Sequence, residues 1–196
     1  MSIDRKREIL NAFMRLASHF GFDKTTMQDV AQEVGISVGV IYKDFKNKED
    51  LVEAYAQQIR QQFLFSMDQI LEQDLPAEQL LHDIIIDLFQ NVSKLIKEDR
   101  GFWQFLKGDG GFKYFRKHKP YKNNKSVEIA ERIESIIAKG VQEGIFSIED
   151  VPKTTKIFLD ATQSYFSELL VFGQDQHMVL ANIEDMLAFL IRAIKK

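Results

Sequence analysis

The sequence predicts an all-α protein, a three-helix head at residues 1–50 followed by a larger helical bundle over residues 51–196. Three observations carry this expectation. Apolar residues recur at helical spacing through most of the chain, so each run has one face to bury. Between Thr26 and Phe45 two short runs are separated by a turn of about three residues that opens on a glycine, the layout of a helix-turn-helix. After Lys48 the runs lengthen and several have wide apolar faces, as in a packed bundle.

From Lys6 to Phe20, Ile9, Leu10, Phe13, Leu16, Ala17 and Phe20 form one stripe, and Gly21 ends the helix as a left-handed cap. Thr26 stands three residues before Asp29, so hydroxyl and carboxylate can close a capping box at the start of a second helix. Met27, Val30, Ala31 and Val34 give that helix its buried face. Gly35 breaks it, Ile36 is expected to plug the core, and Ser37 is a suitable N-cap for a third helix running to about Phe45.

In this third helix Ile41 and Phe45 share the inward face, which leaves Gly39, Val40 and Lys43 on another side and Ser37 and Val38 at its exposed start. That second face is unusually bare. Two readings fit: a solvated surface that tolerates a glycine, or a surface kept small for close approach to the base edges and phosphates of a DNA major groove, which admits one helix.

Composition bears on the choice. The formal net charge is −3, and the first fifty residues offset Arg5, Lys6, Arg7, Arg15, Lys24, Lys43, Lys46 and Lys48 with eight acidic residues. Any affinity for nucleic acid must therefore come from where the lysines sit. The 45% apolar content suffices for a real core, and the absence of cysteine excludes disulfides, thiolate nucleophiles and cysteine-ligated zinc. No run approaches the roughly 18 apolar residues of a membrane span, and the charged opening is unlike a signal peptide. The expected setting is cytoplasmic, with no membrane partner.

The segment TTMQDVAQEVGISVGVIYKDFKNKEDL, residues 25–51, resembles the DNA-binding head of TetR-family transcriptional regulators. The shared features are a capping threonine, an alanine in the second helix, Gly-Ile-Ser, a glycine two residues later, an aliphatic-tyrosine pair, a phenylalanine, and Lys-Glu shortly before a leucine. The resemblance covers roughly residues 5–51 and implies that Thr26, Tyr42 and Lys48 contact phosphates. It places Ser37, Val38, Gly39, Val40 and Lys43 where base edges or flanking phosphates are met. Hydroxyls, a lysine and helix N-termini suit phosphates, and Val40 offers a methyl surface to a thymine methyl. Two positions depart from the family pattern. Val38 stands where a polar or basic residue is common, and Asp44, where an uncharged residue is common, would repel phosphate.

Beyond the head, periodicity predicts helices from Lys48 to about Gln73, from Ala77 to Glu98, from Ser126 to Glu143, from about Val151 to Phe172, and from His177 to Lys196. The segment between Gly101 and Lys125 reads as a short helix, an irregular stretch rich in glycine and aromatics, and a loop. The last two helices have more apolar circumference than one chain can cover, and the resemblance implies that they pair with a second copy as a homodimer. It also implies a body that encloses a small-molecule effector. Phe89, Trp103, Phe105, Phe115, Phe158 and Tyr165 are the candidate lining residues, with Asn91 and Gln163 as polar anchors; a plain core role is the simpler reading of any one of the aromatics. Lys113, Arg116, Lys117, Lys119, Lys122 and Lys125 read either as a solvated loop or as a mouth for an anionic ligand.

No catalytic arrangement is visible. His19, His82, His118 and His177 are scattered, no serine has the setting of a hydrolase elbow, and Gly108–Gly111 lacks the lysine and hydroxyl of a phosphate-binding loop. Neither an enzyme nor a cofactor is expected. The implied role is a ligand-responsive transcriptional regulator, in most such proteins a repressor, on a near-palindromic operator in double-stranded DNA. The rival is a helical protein-interaction module whose helix-turn-helix no longer binds DNA.

Overall fold

The computed structural model describes residues 3–98, 127–167 and 175–196. Among them are eight helices: α1 (Ile3–Phe20), α2 (Met27–Val34), α3 (Val38–Tyr42), α4 (Lys48–Leu71), α5 (Ala77–Glu98), α6 (Val127–Gln142), α7 (Val151–Ser167) and α8 (Gln176–Ile194). An isolated antiparallel bridge between Phe146 and Lys195 is the one β-type pairing among the described residues. The chain divides into two compact units, the first reaching Gln61 and resuming at Leu95, the second holding Gln62–Lys94 and the described residues from Val127 onward. α4 contributes to both.

In the first unit, α1 buries Ile9, Leu10, Ala12, Phe13, Met14 and Ala17, with Met27, Val30 and Ala31 of α2 also buried. Ile41 and Phe45 are buried as their spacing predicts, and α4 adds Leu51, Val52 and Tyr55 to the core. The ring of Phe13 meets Phe22 edge-on with centroids 6.0 Å apart. Gly21 ends α1 at φ 91°, a left-handed conformation that costs a side-chain-bearing residue more than glycine, and its N–H donates to Ala17 O at 3.0 Å. Gly35 repeats the device after α2 at φ 70°.

Several details differ from the sequence expectation: Phe20, at the end of the predicted α1 stripe, is 55% exposed, and Val34 of α2 is only half-buried. Ile36 is only half-buried, so it covers the turn without plugging the core. α3 stops at Tyr42, and beyond it the Ile41 carbonyl is shared between the N–H groups of Asp44 and Phe45, each at 3.0 Å, a three-centre arrangement common at helix ends.

The second unit is built on α5, which occupies the predicted Ala77–Glu98 and buries Leu80, Leu81, Ile84, Ile85, Leu88, Phe89 and Val92. Ile133, Ile136 and Ile137 of α6, Phe158 of α7, and Val179, Ile183, Leu187 and Ile191 of α8 are also buried. Polar fastenings hold helix ends in place. Lys139 Nζ donates to Leu75 O at 2.8 Å, and Ala77 N–H donates to Glu143 at 3.3 Å. Lys195 pairs with Glu78 at 2.6 Å, beside the bridge to Phe146.

A bidentate ion pair joins α4 to α6. Arg132 donates in fork geometry to both carboxylate oxygens of Asp68, at 2.7 and 2.9 Å, and its third nitrogen reaches Glu128 O at 2.9 Å. The hydrogen bond from Arg132 holds the Asp68 carboxyl below the usual carboxylate range, against a small opposing effect of burial. A carboxyl depressed on folding adds stability above its unfolded value of about 3.9, and that stability is lost as pH falls through the lower folded value. Asp68→Asn is therefore expected to flatten the acid limb of the stability profile below about pH 4. Because the Asp68 side chain is 47% exposed, the loss at neutral pH should stay within about 1 kcal/mol, as read by urea titration across pH.

Candidate nucleic-acid interface

The eight head residues singled out in the sequence sit on three successive structural features: the start of α2, α3 with its flanking residues, and the start of α4. Thr26 is the N-cap of α2 in extended backbone at φ −108° and ψ 160°. The predicted capping box is complete. Asp29 N–H donates to the Thr26 hydroxyl at 3.2 Å, while the Thr26 N–H and hydroxyl donate to the Asp29 carboxylate at 2.8 and 2.7 Å. These two donors, the hydroxyl first, hold the Asp29 carboxyl below its usual range. The Thr26 hydroxyl proton is thus already directed at a carboxylate.

The start of α4 is similarly occupied. Asp50 N–H donates to the Asn47 side chain at 2.8 Å, and Lys46 N–H donates to the Asp50 carboxylate at 2.7 Å. Lys48 reaches back across the head: its ammonium donates to Phe22 O at 2.7 Å and Asp23 O at 3.2 Å and lies 4.7 Å from the centroid of the Phe22 ring. It ties the α1–α2 connection to α4 and keeps one of its three protons for another acceptor. Nothing in local sequence signals this partnership, since the partners lie in a different turn.

α3 is the opposite case. Ser37 occupies the N-cap position in extended backbone at φ −74° and ψ 144°, yet its side chain makes no capping hydrogen bond. Gly39 is exposed, its backbone lies outside the left-handed region, and a Cβ added to it would meet nothing within 4 Å. Val38 and Val40 are half-buried, Tyr42 is 52% exposed, and Lys43 is exposed with no ion-pair partner among the described residues. One hydroxyl, one bare helical surface, one phenol and one ammonium therefore face outward together from a single short helix and its ends, with their bonding capacity unspent inside the head.

Asp44 also has a partner that sequence spacing does not reveal. Its carboxylate lies 2.9 Å from Lys6 Nζ on α1. A second cross-link, Arg15 to Glu33 at 3.3 Å, joins α1 to α2.

Three of the six effector candidates lie among the described residues. Phe89 and Phe158 are buried, Tyr165 is half-buried, and Phe89 packs against Phe166 with centroids 6.3 Å apart. Phe166 has no distinguishing signal in the sequence. Asn91 donates to Asp87 at 2.9 Å, and Ser66 donates to the other Asp87 oxygen at 2.8 Å, so this anchor is committed to an internal network. Trp103, Phe105, Phe115 and the basic run from Lys113 to Lys125 lie outside the described residues. Among the described residues no group of three or more acidic or histidine side chains is placed to hold a metal ion.

Comparison with known proteins agrees with the head's geometry. Residues 9–55 match the family model described as bacterial regulatory proteins, tetR family. An uncharacterised HTH-type transcriptional regulator of Bacillus subtilis (strain 168), YhgD, is 33% identical over 90 residues, 46% of this chain and 47% of that protein. The chain thus spans about half the length of the curated relatives it matches. At the level of fold, a TetR transcription regulator from Haloarcula marismortui aligns with TM-score 0.69 and 19% identity, covering 98% of this chain and 99% of that one. The fatty acid degradation regulator FadR from Bacillus halodurans aligns with TM-score 0.72 and 14% identity over 95% and 96% of the two chains.

Proposed function

We propose that this chain is a member of the TetR family of transcriptional regulators, that it binds a near-palindromic DNA operator as a homodimer, and that it lets go when a small effector occupies its body. The head is residues 1–50 and the ligand-binding and dimerising body residues 51–196. α3 enters the major groove, where Ser37, Val38, Gly39, Val40 and Lys43 meet base edges and flanking phosphates, while Tyr42, Thr26 and the remaining proton of Lys48 meet the backbone. The setting is the cytoplasm and the usual outcome repression.

The observation that carries this reading is Gly39. Glycine inside a helix costs about 1 kcal/mol relative to alanine, and here neither backbone conformation nor a neighbouring atom calls for it. The missing side chain makes room for something outside the head. A DNA groove supplies the reason, because a bare helix surface lets the backbone approach base edges closely.

Exposed apolar side chains on α7 and α8, Ile157, Met178 and Phe189, support pairing of these helices with a second copy. Two heads then add their contacts on neighbouring turns of DNA. An apolar, aromatic or acyl effector fits the aromatic character of the body, and a protein of the same fold is described as regulating fatty acid degradation. Such a ligand must prefer the released conformation by several kcal/mol to empty the operator, and operator must weaken the ligand by the same factor.

One observation favours a second reading. The acidic caps at Asp29 and Asp50, which accept from the N–H groups of Thr26 and Lys46, answer the N-termini of α2 and α4 from within, as a protein-docking head without DNA would also do. Gly39→Leu separates the two. The space at Gly39 is open, so the variant should melt no lower than the native protein, yet lose tenfold or more in affinity for the DNA upstream of its own gene, since a lost base contact is worth about 1–3 kcal/mol. Lys43→Ala should also lower the salt slope by about one. Fluorescence anisotropy against a shuffled duplex reads both. Unchanged binding in the two variants would overturn the assignment of α3 to the groove.

A further inference from the structure

The Lys6–Asp44 ion pair holds an acidic side chain at the end of α3. Asp44 follows Lys43, which caps α3, and lies two residues beyond Tyr42, so it is carried at the end of the helix assigned above to the DNA groove. Its side chain is 21% exposed, and Lys6, on α1, is 45% exposed. Ion pairs this open to water add little to folding, so stability is a poor reason for an acid here. An acid beside a phosphate-facing lysine does have a large effect on another quantity, the number of positive charges the head offers to a polyanion.

We propose that Asp44 is a negative determinant of phosphate affinity: by engaging Lys6, it withholds that ammonium from the DNA backbone and keeps the head's attraction to duplexes of any sequence low. The inference rests on the DNA-binding reading above. The hydrogen bond from Lys6, with a smaller contribution from the charge of Lys43, holds the Asp44 carboxyl below its usual range, so it is ionised whenever the protein works near neutral pH. A phosphate that approaches Lys6 must displace this carboxylate or sit beside it, and either lowers the gain from the contact. Because phosphate contacts carry no sequence information, the brake acts on operator and random DNA alike. It fits a head whose basic and acidic residues are evenly matched, where each ammonium that is free or engaged changes the balance.

The test uses the full chain and four proteins: native, Asp44→Asn, Lys6→Met and the double variant. Binding to the upstream duplex and to a shuffled duplex is measured by anisotropy from about 0.05 to 0.2 M salt, the range over which phosphate contacts change affinity most visibly. In Asp44→Asn, the freed Lys6 should steepen the log–log salt slope by about 0.9 for each head bound, on both duplexes. Affinity at 0.15 M salt should then rise by roughly fivefold per head, the factor that this slope implies. Lys6→Met alone, which leaves the Asp44 carboxylate without its counter-charge, should bind both duplexes no better than native, and the double variant should lose the gain.

Three results would overturn the proposal. An unchanged slope in Asp44→Asn, with native binding intact, shows that Lys6 gains no phosphate. A loss of affinity for the upstream duplex alone shows Asp44 reading a base, as a carboxylate accepting from a cytosine amine would. A gain that persists in the double variant shows that the charge acts elsewhere than on Lys6. If the native protein binds neither duplex even at the lowest salt, the DNA-binding reading itself fails and takes this inference with it, an outcome distinct from the other three.

Discussion

Phe13→Ala is expected to unfold the head while leaving the second unit folded. Phe13 is fully buried, packs edge-on against Phe22, and sits in the α1 stripe with Ile9 and Ala17. Truncating a buried phenylalanine to alanine costs about 3–5 kcal/mol, part in lost transfer energy and part in the cavity left behind. A unit of fewer than a hundred residues has roughly 4–13 kcal/mol in all, at 0.05–0.15 kcal/mol per residue, so the loss takes a large share of it. Amide exchange is the suitable measurement. The amides of α1 and α2 should exchange near the rate of an unfolded chain, those of α5 and α6 should keep their protection, and DNA binding should vanish without any contact residue having changed. Protection retained in α1 would mean that the head's core does not depend on this ring.

Gly140→Ala should be destabilising although alanine is the better helix former. A Cβ built at Gly140 lies 2.1, 2.3 and 2.9 Å from three carbons of the Phe146 ring. The ring has little freedom to retreat. Phe146 is buried, its N–H and that of Ile145 donate to Gly140 O at 3.0 and 2.9 Å, and it forms the bridge to Lys195. Overpacking of this kind costs typically 1–3 kcal/mol and occasionally more, and three simultaneous overlaps place it at the upper end. Helix propensity returns about 1 kcal/mol. A net loss near 2 kcal/mol follows, seen as a lower denaturation midpoint in urea, and Phe146→Leu in the same chain should recover part of it. A midpoint that rises in Gly140→Ala would show that propensity outweighs the ring.

How far the sequence revealed the structure depended on the range of the interactions involved. Thr26 and Asp29 lie within one turn of each other, so their capping box follows from spacing alone, and Gly21 and Gly35 mark helix ends through local backbone preference. α5 is legible end to end because Asp74-Leu75-Pro76 precedes it and its apolar residues keep one period. The end of α3 is less so: Phe45 keeps the helical period and is buried, but the helix itself ends at Tyr42. The contacts that modify the candidate site, Lys6 with Asp44 and Lys48 with the carbonyls of Phe22 and Asp23, join residues far apart in sequence that only tertiary packing brings together. In the body, burial separates what composition cannot. Phe89 and Phe158 lie inside the second unit and Tyr165 only half so, whereas an aromatic residue in the sequence looks the same in either place.

Selection of duplexes from a random-sequence pool by the native chain tests DNA recognition most directly, because it assumes no operator. Recovery of one motif made of two inverted half-sites, spaced by about one helical turn or a multiple of it, is the expected result, and the enrichment should disappear with Gly39→Leu. A pool that emerges without sequence preference, from a protein whose melting shows a folded head, would contradict the assignment of α3 to a DNA groove and leave a protein-docking head in its place.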